Sequence, residues 1–87
     1  MYVVLVYDVG EKRVGKMLRL CRRYLSWIQN SVLEGNLSKA QLRELKTQID
    51  DIIDEDEDCV ILFSSRMENS MDKEILGKER MSVDNFL

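Results

Sequence analysis

The sequence predicts an α+β fold: a four-stranded antiparallel sheet with two helices packed on one face. Three observations lead there. Four short apolar runs, rich in β-branched and aromatic residues, read as strands. Two longer segments carry apolar residues at helical spacing. Their order is βαββαβ, the split arrangement of a ferredoxin-like fold. Right-handed crossovers in that order place both helices on the same side of the sheet.

The first strand is residues 2–7, within Met1-Tyr-Val-Val-Leu-Val-Tyr-Asp8. Val9-Gly10 turns the chain into a helix from about Glu11 to Tyr24. Val14, Met17, Leu18, Cys21 and Leu25 give it an apolar stripe. Lys12, Lys16, Arg19 and Arg23 recur at the same spacing on the opposite face, as one row of cations. The segment 25–35 reads as two short strands, 25–28 and 31–35, joined by a tight turn near Gln29-Asn30. A single longer strand is the alternative.

Ser38 is placed to N-cap the second helix, with Gln41 three residues on as its capping-box partner. Leu42, Leu45, Ile49, Ile52 and Ile53 form that helix's stripe. The acidic run 54–58 then reads as a solvated loop. It lacks the spacing and central glycine of an EF-hand. Cys59-Val-Ile-Leu-Phe63 is the fourth strand.

The remaining residues, 64–87, are expected to form a C-terminal tail for dimerisation and partner binding. Within it, Glu74-Ile-Leu-Gly77 reads as a short extra strand. An unpaired edge invites association, so this strand is expected to pair with the sheet of a partner subunit. The sheet face away from the helices also needs a cover, and a second copy of the chain is the simplest one.

Length and composition bound the rest. Eighty-seven residues make one domain, residues 1–87, with a modest core. No apolar run approaches the roughly 20 residues of a membrane span. The N-terminus shows neither a basic n-region nor a small-residue cleavage site, so a cytoplasmic protein without membrane partners is expected. Cys21 and Cys59 fit reduced core thiols. The absence of histidine excludes Ser-His and Cys-His nucleophiles and His-ligated metals. With no CxxC either, metal chemistry must use oxygen ligands and a hard cation.

Net charge is −3, yet residues 12–23 hold six cations and no acid. That asymmetry preserves a basic surface suited to phosphate, and arginine's planar fork binds phosphate bidentately. Asp8 ends an apolar strand, where a core stops and a site can begin. It is either a turn-forming or capping aspartate or a metal ligand. One carboxylate is a poor Mg²⁺ site, but a two-fold axis pairing two copies of Asp8 can hold one hydrated ion. Tyr7 and Trp27 flank that position, as core residues or as surfaces for base stacking.

The stretch Tyr2-Val-Val-Leu-Val-Tyr-Asp8-Val9, the basic helix and Ile28-Gln-Asn-Ser-Val-Leu-Glu-Gly35 together resemble the second core CRISPR-associated protein family, which acts in spacer acquisition. That family's second motif usually reads Gln-x-Ser-Val-Phe-Glu. Asp72-Lys-Glu-Ile-Leu-Gly77 and the ending Asp84-Asn-Phe-Leu87 resemble one subgroup.

The resemblance implies a ferredoxin-like homodimer with the last strand exchanged across the interface. It implies a divalent-metal aspartate at Asp8, Mg²⁺ as cofactor, and residues implicated in cleavage at Tyr7 and Arg13. It also implies RNA or double-stranded DNA as substrate, and the CRISPR integrase as a partner for which the dimer serves as a DNA-holding scaffold. Two positions depart from the pattern: Leu33 stands where phenylalanine is usual, and Trp27 where some members carry arginine. Two functions follow, a Mg²⁺-dependent endonuclease and a catalytically silent DNA-binding scaffold. A metabolite-binding regulator on the same fold lacks a glycine-rich phosphate loop.

Overall fold

The computed structural model describes residues 1–66 and 70–78; the ending at 84–87 lies outside them. The described elements are β1 (Tyr2–Asp8), α1 (Glu11–Arg22), β2 (Ser26–Gln29), β3 (Val32–Asn36), α2 (Lys39–Ile52), β4 (Cys59–Ser65) and β5 (Asp72–Gly77). The strands form one antiparallel sheet in the order β2-β3-β1-β4-β5. This is the predicted α+β arrangement with a fifth strand added beside β4.

Side-chain alternation along the strands sorts the sheet into two faces. Val3, Leu5 and Tyr7 of β1, Leu33 of β3, and Val60 and Leu62 of β4 share one core cluster with both helices. From α1 that cluster receives Met17, Leu20 and Cys21, and from α2 it receives Leu45 and Ile49. The other face carries Val4 opposite Phe63, Val6 opposite Ile61, and Ile61 opposite Ile75. Asp8 lies on that second face at the end of β1, in register with Cys59. Among the described residues, no helix is long and apolar enough to cross a membrane.

Local chemistry sets the boundaries. Ser38 caps α2 in a complete capping box: Gln41 N–H donates to Ser38 Oγ at 3.1 Å, and Ser38 N–H donates to Gln41 Oε1 at 2.9 Å. Asn30 turns the β2–β3 hairpin with φ 46°, a region asparagine tolerates, and its carbonyl accepts from Trp27 Nε1 at 2.8 Å.

Three expectations are corrected. The stripe of α1 is rotated: Val14 is 38% exposed and Leu20 only 6%. The inward face instead runs through positions 13, 17, 20, 21 and 24, so a polar residue, Arg13, begins it. The acidic run is not solvated throughout, because Asp58 is fully buried. The extra strand begins at Asp72 rather than Glu74, and within the single chain it lies beside β4. The free edge of β4 is the nearest one, and Lys46 of α2 secures β5 there through an ion pair to Glu74 at 3.0 Å.

Candidate functional site

Asp8 is the exposed last residue of an otherwise largely buried strand. The chain leaves β1 through Val9, which packs against the core, and Gly10, which precedes α1 in extended conformation. No local side chain caps α1 at Gly10. Among the described residues no three Asp, Glu, Cys or His side chains gather to hold a metal ion. Asp8 is the carboxylate that β1 itself brings to this place. That donor set fits a hydrated Mg²⁺, which keeps several waters and takes one or two carboxylates, rather than an all-protein cage.

Tyr7 does not join Asp8. Adjacent strand residues point to opposite faces, and Tyr7 is 4% exposed within the cluster under the helices. Burial raises its phenol pKa above the ordinary value.

Arg13 does not point to Asp8 either. Its guanidinium lies against Asp58, with Nε donating to Oδ2 at 2.5 Å and Nη2 to Oδ1 at 3.0 Å. Nη2 also meets the exposed Glu57 at 3.1 Å. The Asp58 carboxylate accepts two backbone N–H groups as well, from Gly10 at 2.8 Å and Asp54 at 2.9 Å. Hydrogen bonding by Arg13, reinforced by those two N–H groups, holds the Asp58 carboxyl down to about 2 against the opposing effect of burial. The same contact raises the Arg13 pKa. Sequence reasoning missed Asp58 because it ends a run of acids. The available signal was its position directly before the apolar run 59–63.

The cation row Lys12, Lys16, Arg19 and Arg23 is exposed along α1. Lys16, Arg19 and Arg23 line one wall of a groove of about 530 Å³, whose other wall is Gln48, Asp51 and Ile52 of α2. Tyr24 joins the helices below it, donating to Glu44 Oε1 at 2.8 Å and accepting from Gln48 Nε2 at 2.6 Å. Leu33 and Trp27, the two positions that depart from the expected motif, sit differently. Leu33 is fully buried in the core, whereas Trp27 is 50% exposed on the edge hairpin. Cys21 and Cys59 are free and buried, and burial pushes the Cys21 thiol up to about 12.

Comparison with known proteins places this architecture. The model of the family described as CRISPR associated protein Cas2 matches residues 1–73. The CRISPR-associated endoribonuclease Cas2 of Thermotoga maritima is 48% identical over 87 residues, covering 100% of this chain and 99% of its own. The protein of the same name from Dictyoglomus turgidum is 45% identical, with complete coverage of both chains. A crystal structure of a cas2 protein superposes with a TM-score of 0.74 at 41% identity, over 95% of this chain and 93% of that one. Streptococcus pyogenes Cas2 gives a TM-score of 0.69 at 31% identity, over 79% of this chain and 89% of that one. With the family model and full-length relatives in agreement, this chain belongs to the CRISPR-associated Cas2 family.

Proposed function

We propose that the chain is a cytoplasmic protein of CRISPR spacer acquisition, acting as a nucleic-acid-binding homodimer that cleaves phosphodiester bonds in RNA or double-stranded DNA. The observation that carries this reading is the placement of Asp8: an exposed carboxylate at the tip of the central strand, at the foot of a basic helix. One carboxylate from each of two chains makes a hydrated Mg²⁺ site. When bound, the ion supplies neutralisation of the phosphate and activation of water. Asp8 holds and orients it. Lys12, Lys16, Arg19 and Arg23 grip the sugar-phosphate backbone without reading bases. The names of the full-length relatives support the nuclease reading.

A second reading is favoured by a specific observation. Tyr7 is enclosed in the core and Arg13 is committed to Asp58, so of the three residues linked to cleavage only Asp8 is exposed. A chain with so sparse a site suits a DNA-holding scaffold that joins CRISPR integrase dimers, because that role needs the cation row and not the carboxylate.

The test compares wild type with Asp8→Asn on labelled single-stranded RNA and double-stranded DNA, with Mg²⁺ and with chelator. Metal-dependent cutting that vanishes in the variant supports the nuclease. No cutting, or equal cutting by both proteins, overturns it and leaves the scaffold.

A further inference from the structure

Asp58 is a buried charged side chain in an otherwise apolar core, and all four hydrogen bonds to its carboxylate come from other elements or their ends. Two come from Arg13 in the first turn of α1. One comes from the Gly10 N–H, in the turn between β1 and α1. One comes from the Asp54 N–H, just past the end of α2. Its backbone carbonyl also accepts from Lys78 N–H at 2.7 Å, where β5 ends.

The position of this junction relative to Asp8 is specific. Gly10 lies two residues after Asp8, and Cys59, the ladder partner of Asp8, directly follows Asp58. Asp8 is thus held on one side by the ladder at residue 59 and on the other by the tie from residue 58 to Gly10. The α1 N-terminus has no side-chain cap, and the Asp58 carboxylate instead holds the N–H of Gly10, the residue before the helix. A Cβ at Gly10 would stand 2.5 Å from Arg13 Nη2, so a side chain there would push the guanidinium from its seat.

We propose that Asp58 is the positioning residue of the Asp8 site, its carboxylate fixing the turn that aims Asp8 at the end of β1. This rests on the reading of Asp8 as a metal ligand. Groups that orient a ligand from behind commonly change metal affinity by about 10–100-fold when removed. Asparagine at position 58 keeps one acceptor for Gly10 or Asp54. It turns an N–H₂ toward donors at the other oxygen and loses the charge that holds Arg13.

The experiment uses the full chain as wild type, Asp8→Asn, Asp58→Asn and Leu45→Ala. The last is a core variant remote from the turn, matching a general loss of stability. All are measured at a temperature where melting curves show each one folded. Mn²⁺ affinity is read by electron paramagnetic resonance, and exchange protection of the Gly10 amide by NMR.

Asp58→Asn is expected to weaken Mn²⁺ binding about tenfold and to lose Gly10 protection, with Leu45→Ala within about twofold of wild type. Wild-type-like affinity and protection in Asp58→Asn overturn the proposal, as does equal weakening by Leu45→Ala. If wild type and Asp8→Asn bind Mn²⁺ alike, the metal reading of Asp8 fails. The Gly10 amide then decides separately: lost protection in Asp58→Asn alone upholds the tie on the turn, and retained protection overturns it.

Discussion

Arg13 and Asp58 meet by two hydrogen bonds from one guanidinium to one buried carboxylate, joining the first turn of α1 to the start of β4. Arg13 begins the inward stripe of its helix. It therefore belongs to the framework of the protein, whereas Lys12, Lys16, Arg19 and Arg23 stay exposed on the same helix.

Removing that contact is expected to be costly. Asp58→Asn leaves Arg13 without its buried partner and crowds the donors around position 58, for a loss of about 2–4 kcal/mol. Urea unfolding at neutral pH measures it through the shift in midpoint.

The same carboxylate sets a pH dependence. Its folded-state pKa is depressed from 3.8 to about 2. Its contribution is therefore fully present above the unfolded value and is lost as pH falls through the window from about 4 to about 2. The stability difference between wild type and Asp58→Asn is expected to shrink across that window and to stay constant from about pH 5 to 8. Paired denaturation curves at each pH measure that difference directly.

Gly77 should not accept a side chain. Its φ is +83°, and a Cβ there would stand 2.2 Å from the Asp58 carbonyl oxygen. Gly77→Ala is expected to cost about 1–3 kcal/mol and to loosen the end of β5. Amide exchange at Lys78, whose N–H donates to that carbonyl, is expected to accelerate.

Charge reversal on the row tests the phosphate contact. Lys16→Glu with Arg19→Glu is expected to weaken binding to duplexes of any sequence alike. If each side chain meets one phosphate, the slope of log affinity against log salt falls by about 1.8. Fluorescence anisotropy over a salt series reads both effects. Unchanged binding at moderate salt removes α1 from the contact surface.

Much of this architecture is legible in the sequence, for reasons visible in particular residues. The run 2–7 is apolar because β1 is the central strand of the sheet, flanked by β3 and β4. Ser38 and Gln41 announce the start of α2 because a capping box is local chemistry. Asp8 stands out because it breaks an apolar run. Arg13 and Asp58 stay hidden because periodicity counts only apolar residues, and a buried ion pair puts a cation in a core stripe and an acid under a loop. Val14 completes the wrong stripe for the same reason: counting apolar residues alone passes over Arg13 and rotates the expected inward face. The start of β5 at Asp72 stays hidden because Asp72 and Lys73 are charged and exposed, so only the apolar residues after them stand out as a strand.

The most direct test of the shared Asp8 site is metal-dependent cleavage by mixed dimers. Wild type and Asp8→Asn are unfolded together, refolded at varied ratios, and assayed with Mg²⁺ at constant total protein. A site needing both carboxylates predicts activity that follows the square of the wild-type fraction, so an equal mixture retains about one quarter. Activity linear in that fraction, with about one half retained, contradicts the shared site, and activity independent of it contradicts any role for Asp8 in cleavage.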